Sequence, residues 1–343
     1  MRKDPVFLFS IFFLILFSVF ILFSVSPGLF PTYFIYIILG LVLFWFFSQV
    51  NFSILALFST HFYIISILLL VLTLIIGQVT RGTIRWIPIG SLTFQPAEIV
   101  RPLLLVFFAS YLTKEELTPG RLVKAFLLLS LPLFLIVVQP SLGVSVLTFF
   151  GFLGVLIASN VNKKLIAVSL IAALLLAPIG YNFLAPYQKQ RVTSFLRPEE
   201  DPLGAGYNSI QSMIAAGSGR LTGRGLGKGV QTQLAFLPEK QTDFIFSAIG
   251  EEMGFFGSSL VLIALFTLFI RIAKLLEGAE SFAARAFISG VFATLLIQTF
   301  VHIGMNLGLL PITGIPLPLV SAGGSSLVAT MIGLGMVFAT KKK

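Results

Sequence analysis

Long apolar runs separated by short polar punctuation dominate this chain, and their length decides what they are. Crossing a bilayer as a helix takes about 20 predominantly apolar residues. By that measure the sequence predicts ten spans, at approximately 6–25, 33–50, 54–77, 98–113, 122–138, 143–159, 165–184, 243–270, 284–305 and 323–340. The first follows Arg2 and Lys3 and stops at Ser26-Pro27-Gly28. A positive flank is also a feature of signal peptides, but this run is longer than their apolar region of about 7–15 residues, so it is read as a retained membrane helix.

An even number of spans puts both termini on one side. Cations near the short connections choose the side. Thirteen fall on one set of segments: Arg2 and Lys3; Lys114, Arg121 and Lys124; Lys163 and Lys164; Arg271, Lys274 and Arg285; and Lys341, Lys342 and Lys343. The opposite short loops hold Arg81 and Arg85 alone, so the termini are expected in the cytoplasm.

Composition agrees. Of 343 residues 57% are hydrophobic and 10% charged, against about 25% charged in soluble domains. The fold class expected is an all-α polytopic membrane protein of about ten helices, one transmembrane domain over 1–343. With no cysteine and two histidines, disulfides, thiolate nucleophiles, iron–sulfur clusters and His-rich metal sites are excluded. The net charge of +10 fits orientation signals and anionic headgroups better than a nucleic-acid face.

Between spans seven and eight lies an outer loop, 185–242, whose apolar Met213, Ile214, Leu221, Leu226, Leu234, Phe236 and Leu237 predict short interfacial helices. Within it, 217–229 reads Gly-Ser-Gly-Arg-Leu-Thr-Gly-Arg-Gly-Leu-Gly-Lys-Gly. Arg220, Arg224 and Lys228, four apart among glycines that free backbone N–H groups, suit a phosphate; a turn-rich loop with solvated cations is the plain alternative. The string lacks a P-loop ending.

Next, Thr242 or Asp243 stands where the eighth helix would be capped. Glu251 and Glu252 follow deeper, where a charge needs a partner or a wet cavity. At 100° per residue Glu251 lies about 80° round from Asp243 and Glu252 on the opposite side, so the three do not converge on one atom. Gly250, Gly254 and Ser258 form a small-residue face for close helix packing.

A second charge cluster opens the fourth span, Gln95-Pro-Ala-Glu98-Ile-Val-Arg101. Glu98 and Arg101 are three apart and can pair, as a structural tie or as part of a site. Arg81, Arg85 and Trp86 occupy the preceding outer loop. His61 and His302 read as helix–helix contacts. Before the tenth span, Gly314-Ile-Pro-Leu-Pro-Leu-Val-Ser-Ala-Gly-Gly-Ser-Ser implies non-helical backbone at membrane depth, which is tolerated where it is buried in protein or lines a cavity.

Together, Gln95-Pro-Ala-Glu98, Gln139-Pro-Ser-Leu-Gly143, Pro238-Glu-Lys-Gln-Thr-Asp243-Phe-Ile-Phe with Glu251-Glu252-x-Gly254, and the string from Gly314 resemble the SEDS family, named for shape, elongation, division and sporulation. The resemblance covers essentially the whole chain, and Leu237-Pro-Glu with Gln231-Thr-Gln is more similar to the rod-elongation branch than to the division branch. It implies a peptidoglycan glycosyltransferase that polymerises lipid II at the outer face of the bacterial cytoplasmic membrane, beside a class B penicillin-binding protein. The family's essential aspartate falls on Asp243, and its intramembrane glutamate and lysine fall on Glu98 and Arg101. The chain departs from the pattern at Arg101 and at Ser141, Gln241 and Ala322, where the family has Asp, His and Tyr.

On this reading Asp243 is the base that takes the acceptor sugar's proton. Arg101, Arg220, Arg224 and Lys228 are candidates for the pyrophosphate, with Arg81, Arg85, Glu98, Ser321, Gly323, Gly324 and Ser325 as further substrate contacts and Thr242, Glu251 and Glu252 as supports. A divalent cation, Mg or Mn, at Asp243 would neutralise the same charge. The alternatives are a lipid II flippase or ion-coupled transporter, and a non-catalytic scaffold for the penicillin-binding protein.

Overall fold

The computed structural model describes residues 4–80, 83–90, 92–159, 186–202, 204 and 206–340. Helices fall on nine of the ten expected spans: α1 (Pro5–Val25), α2 (Phe30–Gln49), α3 and α4 (Phe52–Leu57 and Ser59–Ile76, one span in two pieces), α5 (Pro96–Thr113), α6 (Pro119–Val138), α7 (Leu142–Ala158), and, beyond the outer loop, α11 (Ile245–Glu277), α12 (Phe282–Asn306) and α13 (Gly324–Ala339). The seventh expected span, 165–184, lies outside the described residues. Seven of the described helices are long and apolar enough to cross a membrane, with α7 and α13 shorter but apolar. The protein is a multi-pass membrane protein.

Helix starts follow local chemistry. The Asp4 side chain accepts from the Phe7 N–H at 3.0 Å, with Pro5 in the first turn where no donor is lost. The same carboxylate is gripped by Arg271 of α11 through Nε at 3.1 Å and Nη2 at 2.5 Å. Thr118 and Ser281 cap α6 and α12 in the same way.

Small residues let the central helices close up. A methyl on Gly154 of α7 would come within 2.6 Å of both Ala293 Cβ and the Ser289 carbonyl of α12, and one on Gly40 of α2 would meet Leu327 Cδ2 of α13 at 2.9 Å. Helix α5 sits among α4, α7, α12 and α13 and is the most enclosed of the long apolar spans. Phe9, Phe12, Phe23, Phe134 and Phe266 instead point outward, as a surface solvated by lipid allows.

The stretch between α4 and α5, expected to be plain loop, holds a three-stranded antiparallel sheet of β1 (Gln78–Thr80), β2 (Thr83–Ile89) and β3 (Leu92–Phe94). The all-α expectation is corrected to this extent: counting residues per span says nothing of the β-branched Thr and Ile positions in between. Gly90, at φ +61°, turns β2 into β3.

The loop at 185–242 contains the expected short helices, α8 (Pro186–Leu196), α9 (Tyr207–Ser218) and α10 (Val230–Gln233). Its Gly-rich stretch, expected to suit a phosphate, packs its backbone on α11. Helix α11 breaks at Gly254 (φ 66°, ψ −159°), so the carbonyls of Glu251 and Glu252 lose their partners one turn on. The Arg224 and Gly225 N–H groups fill them at 2.9 and 3.0 Å, while the displaced Phe255 and Phe256 N–H groups donate to the Arg220 and Leu221 carbonyls at 2.8 and 3.1 Å. The loop thus completes a broken helix, which every buried backbone group requires. Glycine is demanded on both sides, because a methyl on Gly223 would collide with the Glu252 carbonyl and one on Gly254 would meet the Leu221 carbonyl at 2.6 Å. Gly250 packs on Ala216 of α9, so this small-residue face serves the loop.

Gly254→Ala is therefore expected to lower the melting temperature and to open 219–229 to limited proteolysis. The backbone strain alone costs about 1–3 kcal/mol. Cleavage and melting indistinguishable from wild type would contradict it.

Candidate active site

Breaking a helix leaves backbone free to line a cavity, and the segment between α12 and α13 does so. Residues 307–323 run without a helix, turning at Gly308 and Gly314 with φ +71° and +69°. With β2, β3 and the helix ends around them they enclose a cavity of ≈ 450 Å³, the size of a small-molecule site.

Asp243 faces this cavity, beside Gly314, where a methyl would stand 3.5 Å from Asp243 Oδ2. Gln241, Thr242, Glu98, Arg85, Trp86, Gly323, Gly324 and Ser325 also line it. Gly324 is fixed by the Tyr36 ring, whose carbons lie 2.5 Å from any added methyl. The Tyr36 hydroxyl accepts from the Thr93 N–H at 2.8 Å and donates to its carbonyl at 2.7 Å, docking β3. Ser325 Oγ accepts from the Gln95 N–H at 2.8 Å, and Gln95 Nε2 donates to Ser141 Oγ at 2.9 Å.

Backbone contacts set the approach to Asp243. The Gln241 carbonyl accepts from the Ala322 N–H at 2.9 Å and the Thr242 carbonyl from Ser321 Oγ at 2.8 Å. Ser321 is consequently buried beneath Thr242 and is not among the lining residues. Neither Thr242 nor Asp243 occupies the cap position of α11, which is Phe244.

Glu98 and Arg101 form the expected pair, Oε2 to Nη1 at 3.0 Å with both side chains 4% exposed. The contact lacks hydrogen-bond alignment, so charge attraction carries it. Glu98 reaches the cavity while Arg101 lies behind it, in a small cleft with Val291 and Thr330.

Several anticipated residues stand elsewhere. Arg220, Arg224 and Lys228 are not among the lining residues; Arg220 and Arg224 lie along the α11 break. Glu251 and Glu252 hold α10. Glu251 accepts from the Gln231 and Thr232 N–H groups at 2.8 and 2.9 Å, a carboxylate at a helix N-terminus. Glu252 accepts from Ser24 Oγ at 2.5 Å and Gln233 Nε2 at 2.8 Å. Nearby Lys240 donates to the Thr232 carbonyl; burial pulls its ammonium below the ordinary lysine value, with Glu252 and Glu251 opposing. His302 Nδ1 donates to the Ile315 carbonyl at 2.7 Å, so the expected helix–helix contact is instead a tie from α12 to the non-helical segment before α13. Arg81 lies outside the described residues.

Sequence reasoning passed over Arg191 of α8, which lines the cavity and donates to the Ile312 carbonyl at 3.2 Å. No motif surrounds it.

Residues 5–343 match the family of FtsW, RodA and SpoVE cell cycle proteins. The chain belongs to this family. It is 38% identical to the peptidoglycan glycosyltransferase MrdB of Escherichia coli (strain K12) over 97% of this chain and 92% of that protein, and 34% identical to the probable peptidoglycan glycosyltransferase FtsW of Aeromonas salmonicida (strain A449) over 88% and 78%. Among solved structures, a chain from a peptidoglycan synthase complex that coordinates polymerization and crosslinking superposes with a TM-score of 0.84 at 31% identity, covering 99% of this chain and 97% of that one. RodA of Thermus thermophilus gives 0.75 at 27% identity, covering 99% and 96%. The likeness to the FtsW, RodA and SpoVE family extends through both strings that form the cavity, 238–246 and 314–326.

Proposed function

We propose that this chain is a peptidoglycan glycosyltransferase that polymerises lipid II at the outer face of the cytoplasmic membrane, with both termini inside and a class B penicillin-binding protein as partner. The observation that carries the reading is the cavity itself, in which the Asp243 carboxylate shares one wall system with the cations Arg85 and Arg191. The relatives' printed activities and the likeness to a chain of a synthase complex support it.

Asp243 takes the proton of the acceptor sugar hydroxyl as that oxygen bonds to the anomeric carbon. The bond from that carbon to the pyrophosphate oxygen breaks, and undecaprenyl pyrophosphate leaves. Arg85 and Arg191 meet the charge that develops on it. Among the described residues no three His, Cys, Asp or Glu side chains converge into a metal-holding group. A divalent cation, Mg or Mn, would have Asp243 as its protein ligand and would supply neutralisation of leaving-group charge.

The test is to give fluorescent lipid II to the purified chain, alone and with its penicillin-binding protein, and resolve products by gel. A glycan ladder is expected; a folded chain that yields none under either condition overturns the proposal.

A further inference from the structure

Helix α11 begins without a capping side chain, since Phe244 occupies the cap position. Its early N–H groups would be orphaned. The Ser247 N–H is instead met in trans by Asn306, the last residue of α12, whose Oδ1 accepts it at 3.0 Å. The Asn306 Nδ2 donates to the Asp243 carbonyl at 2.9 Å and to the His302 carbonyl at 2.8 Å. The residue is 0% exposed. The assignment of oxygen and nitrogen is fixed by chemistry: reversed, the amide would set a donor against an N–H and an acceptor against two carbonyls.

With the Ala322 and Ser321 contacts described above, three successive carbonyls, at 241, 242 and 243, are each held by a hydrogen bond. The first two bonds come from the segment ahead of α13, and the third comes from α12. Through Asn306 it ties the peptide that carries Asp243 to the Ser247 N–H in the first turn of α11.

We infer that Asn306 is a positioning residue for Asp243: one amide caps α11 and fixes the direction in which the aspartate enters the cavity. The inference rests on the reading of Asp243 as the base. Asn306 touches no substrate. Its effect passes through the backbone that aims the carboxylate at the acceptor hydroxyl, where a displacement of about 1 Å costs on the order of a hundredfold in rate.

Asn306→Asp separates the two duties. It preserves size and the acceptor for the Ser247 N–H, keeping the cap, but replaces the donor to the Asp243 carbonyl with an oxygen. Using the full-length chain with its penicillin-binding protein and lipid II, kcat per folded molecule is expected to fall by about 10–100-fold. KM should stay within about threefold, and the acidic limb of the pH–kcat profile should move. Ser321→Ala frees the neighbouring Thr242 carbonyl and should give the same signature, which keeps the test open should Asn306→Asp not fold. Ser212→Ala is the control. It removes a 2.9 Å bond to the Asn306 carbonyl, loosens the same cluster and leaves the Asp243 contact intact, so kcat should be unchanged. Wild-type kcat in Asn306→Asp, or equal losses in Asn306→Asp and Ser212→Ala, overturns the inference. Asp243→Asn run alongside separates the failures: if it is silent while Asn306→Asp is normal, only the inference falls, and if it turns over normally, the reading of Asp243 falls and the inference with it.

Discussion

Asp243→Asn is expected to reduce glycan polymerisation by about 10²–10⁴-fold, the contribution of a positioned general base, while leaving thermal stability nearly unchanged. Asparagine is almost the same shape, and the bonds that hold this stretch go to the backbone carbonyls of Gln241, Thr242 and Asp243. The site should therefore be preserved with the proton acceptor gone. The rate of lipid II conversion by the folded variant, together with its binding to the partner, checks this. Polymerisation at the wild-type rate would remove Asp243 as the base, and with it the main chemical claim for the cavity.

Arg101→Met should be among the most destabilising single substitutions in the membrane core, by about 3–5 kcal/mol, because it leaves the Glu98 carboxylate buried without its counter-charge. Both side chains are only 4% exposed, so water at the cavity edge replaces little of the lost guanidinium. The double variant Glu98→Gln with Arg101→Met removes both charges and should recover most of that loss. Thermal unfolding of the three proteins in detergent decides the matter. If single and double variants are equally destabilised, the pair is not what holds α5, and packing of the long arginine stem accounts for the effect.

Much of this molecule can be read from its residues because lipid imposes a strict length rule. The runs at 6–25, 122–138 and 284–305 are realised within a few residues as α1, α6 and α12. The Glu98–Arg101 pair is equally legible, since a three-residue step on a helix admits few other outcomes. The sheet at 78–94 is not, because three short strands lie beneath a criterion built on twenty-residue runs. The glycines of 217–229 are ambiguous for a physical reason: a backbone freed to approach a phosphate is equally free to approach another backbone, and sequence cannot say which. Arg191 and Asn306 are invisible for a third reason. Their importance comes from what α8 and α12 are folded against, and neither residue is accompanied by a pattern.

The completion of α11 by the loop at 185–242 also determines where this protein can be altered. Between Gly219 and Gln233 the loop is stitched into a transmembrane helix, to Ser24 at the end of α1 and to the two buried glutamates, so it is internal architecture despite its glycine content. The turn from Arg197 to Asp201 has an exposed surface, with Arg197 paired to Glu200 within it at 2.9 Å. An epitope or fluorophore for following the protein in living cells belongs in that turn, and lengthening the glycine-rich stretch would unpick a helix on the far side of the contact.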